Sequence, residues 1–225
     1  LSIPSILAQV TTVLMFYIDA GMVGSLGAEP SAAIGLVEPA TWLIFSLVSA
    51  VTMGFSVQVA HFIGANDFPK ARAVMRHGYV FGLCFSLLML LIAFLIGPRL
   101  PIWLGGGTDI QHDAMVYFLI FSCITPFHLI EYMSGAMLKV AGDMRRPSMM
   151  AILMCVLDVI FNYFLIFPTR TISLFGIELT MPGFGAGVAG AALGSLLAFV
   201  CVALPLAYYA IFRSPILAWK QDIER

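Results

Sequence analysis

Asp158 and Asn162 stand four residues apart in the apolar run Val156-Leu157-Asp158-Val159-Ile160-Phe161-Asn162-Tyr163-Phe164-Leu165-Ile166-Phe167. On a helix that spacing puts an acid and an amide on one face. A second acid, Asp19, sits in the run Phe16-Tyr17-Ile18-Asp19-Ala20-Gly21-Met22-Val23-Gly24, and a third, Glu38, precedes Pro39. An ionised Asp at the centre of a bilayer costs about 2.5 to 3.5 kcal/mol on insertion scales, so a chain that keeps one there satisfies or uses it. The chemistry open to such a face is to hold a proton or a hard cation, which oxygen ligands suit.

The elements that carry these groups must be membrane helices. Of 225 residues, 61% are apolar and only 10% charged, and the mean hydropathy is +1.01. This excludes an ordinary soluble domain. The apolar runs are long enough to cross about 30 Å of hydrocarbon as helices and lack the alternation of a membrane barrel. Leu1 to Gly24 has no basic head and no small-residue cleavage site, so it does not read as a signal peptide. A net charge of -1 and the lack of a basic stripe point away from nucleic acid. Cys84, Cys123, Cys155 and Cys201 are far apart in apolar runs and read as free thiols.

Six spans are expected, at about 2–24, 31–63, 78–97, 113–138, 147–167 and 186–211, with 212–225 a cytoplasmic tail or linker. Lys70, Arg72, Arg76, Lys139, Arg145, Arg146, Arg213, Lys220 and Arg225 follow the second, fourth and sixth spans, while Arg99 and Arg170 lie on the other side. The positive-inside rule then puts both termini in the cytoplasm, in a plasma membrane of bacterial inner-membrane type. Pro39 is expected to kink span two and free carbonyls near Glu38. Gln58 and His61 read as interfacial. Asp67 and Pro69 read as the cap and first turn of a short surface helix before span three. Span three has no ionisable group. In span four, His128 and Glu131 are three apart and could pair on one face as a structural or gating pair. Gly105-Gly106-Gly107 follows no strand and reads as a flexible turn. Residues 168–185 read as a long glycine-rich loop. The run Gly187-Val188-Ala189-Gly190-Ala191-Ala192-Leu193-Gly194-Ser195 lets span six press closely on a neighbour.

Depth supports a common site. Counted from the outer ends at about 1.5 Å per residue, Tyr117 lies roughly 6 Å down, Asp19 and Asn162 roughly 8 Å, Glu38 roughly 10 Å, and Asp158 and Ser195 roughly 13 Å. Scattered structural hydrogen bonds would need no shared level.

Asp19 followed by Gly21-Met22-Val23-Gly24-Ser25-Leu26-Gly27, the Gly64-Ala65 step, the Gly142-Asp143-Met144-Arg145-Arg146-Pro147 loop, the Asp158 and Asn162 pair before Leu165-Ile166-Phe167, and Gly187 to Ala192 together resemble the multidrug and toxic compound extrusion (MATE) transporters. The resemblance covers nearly the whole chain. It implies an all-α membrane fold of twelve helices in two six-helix lobes, of which this chain resembles the first, with a second lobe expected C-terminal to it. It implies export of cationic or amphipathic compounds in exchange for protons or sodium ions by alternating access. In prokaryotic relatives the cation site combines an acid of span one, a polar pair of span five, a hydroxyl of span six and a tyrosine of span four. These carry over to Asp19, to Asp158 and Asn162, to Ser195 and to Tyr117. The family's span-five pair is commonly two amides or an amide before an acid, whereas here the acid comes first. The span-six hydroxyl is often Thr where this chain has Ser195. Both departures leave the coupling ion open between proton and sodium, the latter held by Asp19, Asp158 and Asn162.

Tyr17, Glu38, Phe161 and Tyr163, with Phe16, are candidates for the wall that binds a substrate's body, against core packing as the ordinary role of such aromatics. A flippase for lipid-linked sugars would need a cationic cavity, and the spans carry no Lys or Arg at mid-depth. A non-transporting membrane assembly subunit would show no ion-dependent transport. No nucleophile with a base partner and no metal-ligand cluster points to an enzyme, and no cofactor is expected beyond the coupling ion.

Overall fold

The computed structural model describes residues 2–174 and 177–219. Its helices are α1 (Ser2–Gly24), α2 (Ala28–Gly64), α3 (Phe68–Ile96), the short α4 (Leu100–Trp103), α5 (Gln111–Ser122), α6 (Thr125–Val140), α7 (Arg145–Ile166) and α8 (Gly187–Tyr208). The last continues in a π-helical turn, Tyr209–Arg213. Between α7 and α8, β1 (Pro168–Leu174) and β2 (Ile177–Phe184) form an antiparallel hairpin. Four helices, α2, α3, α7 and α8 with its π turn, are long and apolar enough to cross a membrane, and α5 with α6 make a fifth, broken span bent by 41°. The 23 residues of α1 reach roughly 34 Å at 1.5 Å each, enough for a sixth. The protein is an all-α membrane lobe.

Three elements differ from the sequence reading. Span four is broken because Pro126, in the first turn of α6, has no N–H for the carbonyl one turn back. The chain crosses the break on shorter bonds, Cys123 N–H to Ile120 O at 3.1 Å and Ile124 N–H to Phe121 O at 3.0 Å. The separate surface helix before span three does not exist, since α3 runs unbroken from Phe68 through the boundary at Gly78. Asp67 does cap it, its carboxylate accepting from the Lys70 N–H at 3.2 Å and facing the Lys70 ammonium at 2.8 Å. That partnership holds the Asp67 carboxyl below the usual carboxylate range, so the cap is complete above that range and is lost only as pH falls through the lowered value. The third difference is the hairpin, which replaces the expected loop and pairs Ile172 with Leu179 and Thr171 with Thr180. The expected kink at Pro39 leaves α2 unbroken as a helix.

Two apolar clusters hold the lobe at its ends. At one, Val48 and Val59 of α2, Met75 and Tyr79 of α3 and Leu129, Met133 and Met137 of α6 enclose Leu217 of the segment after α8. Buried Arg72 of α3 fixes that segment by donating from Nη1 to the Ile216 carbonyl at 3.2 Å. Tyr79 and Ser134 share a hydrogen bond of 2.6 Å inside this cluster. At the other end Ala33, Val37, Ala93, Leu100, Ala114 and Phe118 pack together.

The close approach read from the span-six glycines is present between α7 and α8. A Cβ on Gly190 would lie 2.4 Å from the Leu165 carbonyl oxygen, and one on Gly194 2.0 Å from Asn162 Oδ1. Backbone cannot retreat as a flexible side chain can, so Gly190→Ala is expected to cost about 1 to 3 kcal/mol as overpacking. Thermal unfolding in detergent measures it; an unchanged midpoint would mean that the contact carries no stability.

Candidate functional site

Asp19 stands five residues before the end of α1, and Asp158 and Asn162 lie on one face of α7. α1 packs chiefly on α7, which brings the three together. Asn162 Nδ2 donates to Asp19 Oδ1 at 3.0 Å and to Asp158 Oδ2 at 3.1 Å. One amide nitrogen thus spends both hydrogens on two acids from different helices. Two oxygens at those distances from one atom are no more than about 6 Å apart. Asp158 and Asn162 are each 1% exposed, while Asp19 is half-buried and is the side of the group that opens outward.

α8 and α5 complete the surround. Gly194 makes the space into which Asn162 Oδ1 points, and that oxygen is a buried acceptor without a donor among the described residues. Ser195, next along α8, lies close to Asp158. Tyr117 of α5 lies in the field of Glu38, Asp19 and Asp158 and packs against Val23, Ile166 and Ala191. Asp19, Asp158, Asn162, Ser195 and Tyr117 therefore form one group, contributed by α1, α7, α8 and α5. All five offer oxygen, the ligand type of protons and hard cations.

The remaining candidates are placed differently. Glu38 is exposed on α2 and accepts from Trp42 Nε1 at 3.2 Å. Tyr17 is 74% exposed. Phe161 packs on the cluster of Ile124, Met154, Ala198, Phe199 and Val202. Tyr163 lies against Phe164 and Phe167, with ring centroids at 6.0 and 5.9 Å. His128 and Glu131 make no hydrogen bond to each other among the described residues; His128 Nε2 instead meets Ser49 Oγ at 3.3 Å, and its ring stacks on Phe45 at 4.4 Å. Trp42 went unread in the sequence, although its place four residues after Glu38 obeys the spacing rule that singled out Asp158 and Asn162.

A family model described as MatE matches residues 4–164. The chain belongs to the MatE family. Among the MatE relatives it matches is an "FAD transporter" of Shewanella oneidensis, 26% identical over 74% of this chain and 37% of that protein. Another is a "Probable multidrug resistance protein NorM" of Chromobacterium violaceum, 24% identical over 91% of this chain and 42% of the relative. The chain spans less than half the length of these relatives. Its fold matches the outward-facing structure of a multidrug resistance MATE family transporter with a TM-score of 0.84 and 24% identity, covering 99% of this chain and 46% of the other.

Asn162→Leu keeps the branched outline of the side chain but removes the donor shared by two acids. Leaving a buried acceptor unpaired costs about 1 to 3 kcal/mol, so this variant is expected to unfold earlier in detergent at neutral pH. Equal stability would show that the amide bridge is not holding α1 to α7.

Proposed function

We propose that this chain is the first lobe of a cation-coupled antiporter that exports amphipathic small molecules by alternating access, with a second six-helix lobe following it. The supporting observation is the Asn162 amide held between Asp19 and Asp158, with the spare Asn162 oxygen buried beside them. Two carboxyls so close repel when both are ionised. A proton shared between them or a sodium ion among the oxygens relieves that repulsion, and the amide is then free to turn or to release Asp19. Because Asp19 belongs to α1 and the rest of the group to α7, α8 and α5, ion occupancy sets how firmly α1 lies on the lobe.

The orientation with both termini in the cytoplasm follows from the distribution of Lys and Arg. A potential of 100 mV supplies about 2.3 kcal/mol per charge moved, which serves a proton or a sodium ion alike. The relatives bracket the substrates, since one is named for FAD and another for multidrug resistance. We assign this chain to the second kind.

In vesicles with imposed pH or sodium gradients, Asp19→Asn is expected to insert normally and to lose gradient-driven efflux of a fluorescent amphipath. Full efflux by this variant would remove Asp19 from the coupling site. Asp158→Asn is expected to abolish efflux or shift its pH profile, and a profile identical to that of the unmodified protein would make Asp158 structural.

A further inference from the structure

Glu131 is an acid inside a membrane span that the group around Asn162 leaves unused. It stands nine residues before Val140, the last residue of α6, roughly 13 Å from the inner end of the span at 1.5 Å per residue. In about 30 Å of hydrocarbon that is near the middle.

Its place on the helix sets its surroundings. Phe127 comes one turn before it and Leu138 two turns after it, so the three share a strip of α6. Phe127 packs on the cluster of Ile124, Met154, Phe199 and Val202, Leu138 belongs to the cluster with Leu206 and Ala210, and Met150 of α7 touches both. On the turn after Glu131 a Cβ on Gly135 would lie 3.9 Å from Pro147 at the start of α7. Glu131 is therefore set between two apolar clusters, against α7 and α8.

No group of the lobe answers its charge at close range. Glu131 makes no hydrogen bond and no ion pair among the described residues. The polar groups of the elements around it are engaged elsewhere: His128 is turned to Ser49 of α2, Tyr79 of α3 is bonded to Ser134, Asp158 of α7 takes the Asn162 amide, and Arg146 is paired with Asp143 and lies over the Tyr209 ring beyond α8. Tyr132, next on α6, lies beside the His128 ring. Lys139, two turns on and exposed at the inner end, acts on Glu131 through space.

From this placement we infer that Glu131 is a second proton-binding site of the lobe, separate from Asp19 and Asp158 and opening to the inner side. An unpaired carboxylate among apolar side chains is strongly disfavoured, whereas the neutral acid is tolerated there. A hard metal cation needs several oxygen ligands, and this strip offers those of one residue. The ligand is a proton, taken from water and returned to it.

Occupancy then decides how α6 sits. With its proton, Glu131 lets α6 close on α7 and α8. Without it the carboxylate must reach water, and the way out runs towards Lys139 and the inner end. The backbone ladder between α5 and α6 is interrupted at Cys123 and Ile124, where the span bends by 41°. The inner half can therefore tilt away from α8 while Tyr117, on the outer half, stays with the cation site.

This inference goes beyond the exporter reading, and its test needs no gradient. Spin labels on Tyr132→Cys and Leu204→Cys, exposed positions of α6 and α8, report the separation of the two helices by pulsed electron paramagnetic resonance in detergent, in a chain whose four native cysteines are changed to Ala. Between about pH 5 and about pH 9, the range over which buried carboxyls titrate, the separation should grow. Glu131→Gln, which is isosteric and always neutral, should hold the short separation throughout, and Glu131→Asp, which keeps the acid, should restore the shift. Infrared titration of the same proteins should show a protonated-carboxyl C=O stretch that is lost over this range, absent from Glu131→Gln and retained when Asp19→Asn and Asp158→Asn are combined. An infrared titration of Glu131→Gln identical to that of the unmodified protein, a separation that does not change with pH, or a change that Glu131→Gln leaves intact would overturn the site. Failure here is distinct from failure of the coupling reading: full efflux by Asp19→Asn sinks that reading and leaves the Glu131 proton standing, whereas a missing Glu131 signal removes this site and leaves the Asp19 pair untouched.

Discussion

Two acids in an apolar helical lobe need a reason to stay close, and the Asn162 amide supplies it. At an effective dielectric of about 20, two unit charges roughly 6 Å apart repel by about 3 kcal/mol. A single nitrogen that donates to both offsets part of that. It also ties α1 to α7 by a polar contact. The contact of α1 with α7 carries this polar bridge beside the apolar packing of Val23 on Ile166.

The rest of the fold makes that bridge possible. Asn162 can lie at the α7–α8 contact only because Gly194 has no side chain, and α8 can come so near only because Gly190 clears the Leu165 carbonyl. Tyr117 is set by the apolar group of Val23, Ile166 and Ala191. Beyond it the rings of Tyr117, Phe121, Phe45 and His128 stack in succession, at centroid distances of 5.2, 5.5 and 4.4 Å. This column crosses the break between α5 and α6, so the two halves of that span stay in register though their backbone ladder is interrupted. The end of the lobe built on Met75, Leu129 and Met137 carries the Tyr79 and Ser134 pair and the bond from Arg72 to the Ile216 carbonyl.

Much of this was legible in the sequence for physical reasons. Carboxyls in apolar runs are costly, and helical spacing says which face they share; together these pointed to Asp19, Asp158 and Asn162, and the geometry brings them within hydrogen-bond reach. Small residues at close spacing on span six meant close approach, and Gly190 and Gly194 are where it happens. The break in span four is not legible from Pro126 alone, because a proline can also sit inside an unbroken span, as Pro39 does in α2. The hairpin was missed although Thr171-Ile172-Ser173-Leu174 and Ile177-Glu178-Leu179-Thr180 alternate with the period of a strand, since glycine content outweighed alternation. The His128 partner could not be read at all: Ser49 lies 79 positions away, and no local rule joins them.

Arg72 holds the segment beyond α8 by its main chain, at the Ile216 carbonyl. Every amino acid presents that same oxygen. The hydrogen bond itself therefore places no demand on which side chain occupies position 216, and the call for an apolar residue there comes from its packing against the cluster of Met75 and Leu129.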